Sequence, residues 1–184
     1  SDPNEIDTAN MFSKPSLEHL FGADDLGRDV LSRVMHGGRI SLIIAFFASA
    51  IAMIIGVLWG FLAAQIGGWV DDVLMRTVDA LLSIPIILLA LILVAALGTN
   101  VAVLAVIIGV ILAPATARLA RSAVIGELQL DYSQAATVVG ASRLRILFSE
   151  VLPNTAPVLM ARAVICVADT IIIEASLSFV GLGI

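Results

Sequence analysis

The chain has 184 residues, 60% of them hydrophobic and only 14% charged, with 10 Lys and Arg against 15 Asp and Glu for a net charge of −5. A soluble domain carries about 45–50% apolar and about 25% charged residues, so a mean hydropathy of +1.07 excludes a soluble globule and indicates the membrane class. No basic stripe offers a footprint for nucleic acid, and a single cysteine, Cys166, excludes a disulfide framework.

Residues 1–39 are polar and acidic, with no long apolar run. The opening "SDPNEIDTAN" lacks the basic start and apolar centre of a secretory signal. From Ile40 to about Ile66 the chain is uncharged, long enough to cross a bilayer core that takes about 20 apolar residues. Within it Ala48, Ala52, Gly56, Gly60 and Ala64 recur every four residues. Small residues on one face let helix backbones approach closely in lipid. Alanine and glycine are common in membrane helices, yet a run of this regularity favours a packing seam.

A short polar turn, "GGWVDDVLMRT", leads to a second expected span from about Val78 to Leu97, interrupted by Pro85. After the tight turn "GTN" a third runs from about Val101 to Ala117, with Pro114 near its end. Each proline removes a helix hydrogen bond, and each either kinks its span or articulates it. Residues 118–153 are polar, and a fourth span follows from about Thr155 to Leu177. The pattern predicts an all-α membrane protein, a bundle of four spans in this chain.

Arg118, Arg121, Arg143 and Arg145 lie on the same side as Arg76; Lys14, Arg28, Arg33 and Arg39 lie on the other, among more numerous acids. Positive charge near span ends favours the cytoplasm, but this balance alone leaves the orientation open.

The chemistry such a chain can support is narrow. A phosphate-cradling loop needs Gly-Lys followed by Ser or Thr, and the sole lysine, Lys14, follows Ser13. The two histidines, His19 and His36, sit in the polar N-terminal part, and no zinc or serine-hydrolase motif occurs. No catalytic residue and no metal site are expected. Arg162, Asp169 and Glu174 stand within the fourth span. Charges inside a bilayer are costly and face a cavity or a partner. Arg162 and Asp169, two turns apart on one face, either line a polar path or pair locally.

The polar stretch "DYSQAATVVGASRLRILFSEVLPN" reads as two short helices with a hinge. Asp131 or Ser133 can cap the first, and Gly140 stands where a helix ends in a left-handed residue. Ser142 can cap the second, on which Leu144, Leu147, Phe148 and Val151 form one apolar face. That face either lies on the membrane surface or docks into a groove of a partner.

Gln134-Ala135-Ala136, Gly140, Ile146 and Leu152-Pro153 resemble the cytoplasmic coupling loop of ABC importer permeases, whose pattern is Glu-Ala-Ala, three variable residues, Gly, and an Ile-x-x-x-x-x-Leu-Pro ending. Gln134 replaces the usual Glu, which keeps hydrogen-bonding reach and removes the charge. Two further blocks, Phe21–Leu42 and Glu174–Ile184, resemble the stretch before the second span and the segment after the fifth span of dipeptide/oligopeptide permease subunits. The resemblance implies a six-span subunit of which this chain holds spans two to five, continuing beyond both ends. Residues 1–39 would then be extracytoplasmic, residues 40–184 the transmembrane domain, and 118–153 the cytoplasmic coupling loop.

It further implies a multi-pass protein of a bacterial-type cytoplasmic membrane that forms a path for di- or oligopeptides. Its partners would be a second homologous permease subunit, cytoplasmic ATPase subunits holding ATP and magnesium, and an extracytoplasmic substrate-binding protein. The chain itself would carry no cofactor. A permease of the same architecture for nickel or a glycopeptide, and a self-contained channel, are the competing readings. The channel would not require a two-helix loop of this spacing.

Overall fold

The computed structural model describes residue 7, residues 11–17 and residues 19–182. The remaining N-terminal positions of the 1–39 segment, and the last two residues of the Glu174–Ile184 block, lie outside the described residues. The chain divides into two compact units, residues 1–43 and 44–184.

In the first unit Asp24 organises a tight loop. Its carboxylate accepts hydrogen bonds from the backbone N–H groups of Leu26 (2.9 Å) and Arg28 (3.0 Å), from Arg28 Nε (2.8 Å) and from the Arg33 guanidinium. Burial alone would raise its pKa, but these donors outweigh burial and hold the carboxyl far below the usual carboxylate range. A lowered value means that the loop keeps this contribution at neutral pH and loses it only as pH falls through the folded-state pKa. Asp29 Oδ2 then accepts from the Ser32 N–H (3.0 Å) and hydroxyl (2.7 Å), the bonds that start a helix. Helix α1, Val30–Ile66, therefore begins about ten residues before the apolar run. His19 lies nearby, its Nδ1 3.4 Å from Asp29 Oδ1.

In the second unit, α1 continues and is followed by α2 (Gly68–Leu82), α3 (Ile86–Leu97), α4 (Val101–Leu128), α5 (Asp131–Val138), α6 (Arg143–Ile146) and α7 (Leu152–Phe179). Among the described residues, three helical stretches are long and apolar enough to cross a membrane: α1, α4 and the continuous run Arg143–Phe179. The α2–α3 pair makes a fourth if its two members count as one span.

The expected second span, 78–97 with an interruption, is instead two helices meeting at 85°. Pro85 has no N–H to continue the ladder and pushes Ile84 away from helical backbone, while Ser83 Oγ caps back onto the Ala80 carbonyl (2.7 Å). At 1.5 Å rise per residue, α3 is about 18 Å long and cannot alone cross a core of about 30 Å. Pro114, by contrast, sits inside an unbroken α4 that runs on past the expected end near Ala117 to Leu128.

Helix α4 is the centre of this unit, the most buried of the three spanning candidates, with α2, α3 and α7 packed on it. The residues of the four-residue stripe on α1 are buried at Ala48, Ala52, Gly56 and Gly60 and half-buried at Ala64. A Cβ on Gly56 would stand 2.5 Å from Thr116 Cβ and 2.7 Å from the Ala113 carbonyl oxygen; on Gly60 it would stand 2.3 Å from the Ala117 oxygen. Helix α4 answers with Gly109, where a Cβ would meet the Ala48 carbonyl at 2.8 Å. The backbones are thus closer than any larger residue permits, which is how dispersion alone can hold helices together in lipid. Ser49 Oγ adds a hydrogen bond to the Ala163 carbonyl of α7 (3.0 Å).

Candidate functional site

The loop after α4 is built from local backbone chemistry. Gln129 ends α4, and its carbonyl accepts a hydrogen bond from Gln134 Nε2 (2.9 Å). A glutamate at 134 could only accept, so the amide supplies a donor to a helix-end carbonyl that otherwise lacks one. Helix α5 begins at Asp131 with Leu130 at its N-cap and no side-chain cap bond. Neither Asp131 nor Ser133 caps it, because both already have helical backbone. Asp131, in the first turn, still faces the positive end of the helix dipole, and Ser133 is buried inside the turn.

The end of α5 is a Schellman motif. The Ala141 N–H bonds the Ala136 carbonyl and the Gly140 N–H the Thr137 carbonyl, both at 3.0 Å, with Gly140 at φ +85°. Ser142 then caps α6, its Oγ accepting from the Arg145 N–H (3.3 Å). After Ile146 the chain makes one π-helical turn, Leu147–Val151, closed from the Leu152 N–H to the Leu147 carbonyl. It passes without a break into α7, on which Pro153 stands near the start.

That turn redistributes the expected apolar face. A π turn rotates less per residue than an α turn, which carries Val151 back over Ile146 and Leu147 and leaves Leu144 with Phe148 on the opposite side. Ile146, Leu147 and Val151 are buried with Val124, against Phe61, Ala64, Leu128, Ala136 and Ala141. Leu144 (67% exposed) and Phe148 (63%) point outward with Val138 and Val139. Leu147 and Val151 therefore belong to the loop's own core, and the outer surface is made of Val138, Val139, Leu144 and Phe148. Between α5 and α6 a recess of about 380 Å³ is lined by Ala136, Val139, Gly140, Arg145 and Glu150.

A polar tie missed in the sequence fastens the loop. The Tyr132 hydroxyl donates to the Glu127 carboxylate and accepts from Asn154 Nδ2 (3.1 Å), which also donates to the Glu150 carbonyl (2.8 Å). Burial and then the Glu127 carboxylate push the Tyr132 phenol pKa up. Two ion pairs, also missed, join α2 to α4: Asp71 takes the Arg121 guanidinium through both oxygens, and Asp79 pairs with Arg118. Arg118 and Arg121 three residues apart share a helix face, which was the available signal.

The two pairs differ in exposure: Asp71 and Arg121 are 14% and 31% exposed, Asp79 and Arg118 65% and 55%. Asp71→Asn should therefore cost about 1.5–3 kcal/mol, the range for hydrogen bonds to charged groups. Asp79→Asn should cost less than about 1 kcal/mol. Thermal unfolding of the two variants in detergent checks the order.

On α7, Arg162 Nε donates to Thr116 Oγ1 of α4 (3.2 Å) and Arg162 Nη1 to Asp169 Oδ2 (3.4 Å). The Thr116 hydroxyl itself bonds the Leu112 carbonyl (3.2 Å) and lies 3.7 Å from the buried Cys166 sulfur. Glu174 is buried farther along the helix. Among the described residues no group of three or more His, Cys, Asp or Glu could hold a metal.

Residues 52–184 match the profile of the family described as binding-protein-dependent transport system inner membrane component. Similar proteins include a dipeptide transport system permease protein of Alkalihalophilus pseudofirmus, 37% identical over 97% of this chain and 59% of its own. A di/tripeptide transport system permease protein of Pseudomonas aeruginosa is 38% identical over 100% of this chain and 62% of its own. A glutathione transport system permease protein of Pectobacterium atrosepticum is 38% identical over 98% and 60%. The chain spans about 60% of the length of the curated relatives it matches.

Proposed function

The chain belongs to the family of binding-protein-dependent transport system inner membrane components, and from that premise we propose that it is the core of a peptide-importing permease subunit in a bacterial cytoplasmic membrane. In this reading α1, the α2–α3 pair, α4 and α7 line or support the path, and the loop 129–154 transmits motion from ATPase subunits on other chains. A second permease subunit and an extracytoplasmic binding protein complete the assembly. ATP acts only through what it does to its own subunits: it must favour one of their conformations over another to shift the spans.

The observation that carries the reading is the division of the loop. Its inner side is packed on α4 and α1, while Val138, Val139, Leu144 and Phe148 present an apolar outer side around a Schellman turn. A loop with no partner would have no use for exposing these four together while burying Ile146 and Val151.

The test begins at Gly140. Its Cβ position is open space, so a substitution there is penalised by backbone conformation alone. Gly140→Val should cost about 1–2 kcal/mol in the left-handed region and tilt α6 away from its bearing. Gly140→Asn, which tolerates that region, should not. In the full-length subunit reconstituted with its partner subunits, both variants should insert normally. Substrate-stimulated ATP hydrolysis should be lost with Val and kept with Asn. Full stimulation in both would remove the loop from the coupling route.

A further inference from the structure

We propose that Arg162 and Asp169 form a recognition site for short peptides with both termini free, the guanidinium taking the peptide carboxylate and Asp169 the ammonium group. This rests on the reading of the chain as part of a peptide importer.

The two residues stand within an apolar spanning helix, where a charge is costly and is retained for function or for pairing. Arg121 and Asp71 make the bidentate fork that Arg–carboxylate pairs often take, while Arg118 and Asp79 meet through one contact. Arg162 and Asp169 meet through one contact of 3.4 Å, and neither bond of Arg162 uses Nη2. The guanidinium is held by Thr116 and its side chain is 12% exposed, while Asp169 is 39% exposed. The site is thus an anchored, largely covered cation beside a more accessible carboxylate.

Charge conservation explains why such a pair suits a zwitterion. At rest the two side chains neutralise each other, so the path holds no bare charge. A peptide with a free amine and a free carboxylate exchanges that one internal pair for two new ones, and the site stays neutral throughout. A peptide capped at either end would leave Asp169 or Arg162 unpaired in a poorly hydrated place.

The two backbone positions are about 10 Å apart along the helix while the charged groups meet at 3.4 Å, so a peptide of two or three residues, about 7–10 Å long, is taken only as the two side chains swing apart. Val158, Ile165 and Ile172, exposed and repeating every seven residues beside the pair, offer apolar contact without hydrogen-bonding demands. Side chains of the peptide are then left unread while its ends are read.

The experiment uses the full-length subunit with its partner subunits in proteoliposomes. Uptake is measured for a labelled dipeptide, its C-terminal amide and its N-acetyl derivative, each as the ratio of variant to wild type, so that selection by any soluble component cancels. Arg162→Gln should lower uptake of the free dipeptide roughly tenfold more than that of the amide, and Asp169→Asn roughly tenfold more than that of the acetyl derivative, about one hydrogen bond to a charged group.

Equal losses for all three peptides, or recovery of all three in the charge-reversed R162D/D169R double variant, would make the pair a structural tie and overturn the proposal. If either single variant fails to insert, Arg162→Met and Asp169→Ser, which also remove the charge, carry the same comparison: they should change the free-to-capped ratio, and an unchanged ratio overturns it. A wild-type complex that takes up none of the three defeats the importer reading itself, whereas a wild type that transports with unselective variants defeats only the site.

Discussion

A full-length subunit carrying Gly60→Leu is expected to fail to accumulate in the membrane. The atoms nearest the Cβ position of Gly60 are the Ala117 carbonyl oxygen at 2.3 Å, and the Ala120 Cβ and Arg121 backbone nitrogen at 2.8 Å, none of which moves with a rotamer, so no rotamer change can make room. Helix α1 would have to withdraw from α4, giving up the Gly56 and Gly109 contacts as well. Overpacking of a tight core costs about 1–3 kcal/mol, and losing an extended helix seam should exceed that. Even Gly60→Ala should lower the unfolding temperature in detergent by several degrees. Gly126→Ala is the control: its Cβ meets nothing within 4 Å, it stands in the last turn of α4, and the change should gain no more than the roughly 0.5–1 kcal/mol of a mid-helix glycine. If Gly60→Leu accumulates and unfolds as wild type does, the close approach of α1 and α4 is wrong.

The second large effect separates two neighbours. Leu147→Asp places a carboxylate among Val124, Ile146 and Val151 with no partner. An uncompensated charge there costs at least several kcal/mol, enough to unfold the loop or draw a proton onto the carboxyl. Phe148→Asp changes a side chain that is 63% exposed and should leave the fold within about 0.5 kcal/mol. Proteolysis of the membrane-inserted subunit should therefore find a new cleavage site within 129–154 in the Leu147 variant alone. Loss of stimulated ATP hydrolysis is expected in both, in the Leu147 variant because the loop is disordered and in the Phe148 variant because its outer face is charged. Resistance to protease in both would place Leu147 outside the core.

These two variants also mark how far the sequence could be read. The stripe from Ala48 to Ala64 was legible because helical spacing needs only a count of four. Gly140 and Ser142 were legible because each residue type serves a backbone need that few others meet. The apolar face of the loop was read with a uniform α-helical template. It assigned Leu147 to the outside because nothing in the letters announces a π turn. The break at Pro85 was visible, but its 85° angle was not, since a proline sets the position of a bend and its neighbours set the size. The pairs Asp71–Arg121 and Asp79–Arg118 join residues 50 and 39 positions apart, a distance that only packing can close. The Tyr132 tie was hidden for the same reason, and because tyrosine, glutamate and asparagine in a polar stretch look like solvated surface.

The π turn at Leu147–Val151 has one more consequence. A turn closed by i to i+5 bonds stores about one residue more than its α-helical counterpart, so the rod from Arg143 to Phe179 has its two ends keyed at a fixed angular offset, like the cams on a shaft. Rewinding that turn as regular α-helix with no residue lost would cancel the offset. With 3.6 residues per turn, the lower part, carrying Arg162 and Asp169, would then swing by about 100° relative to Ile146, whereas deleting one residue would remove the π turn and keep the two ends in register. The turn is thus the point that sets the angle between the loop and the charged pair without changing either one.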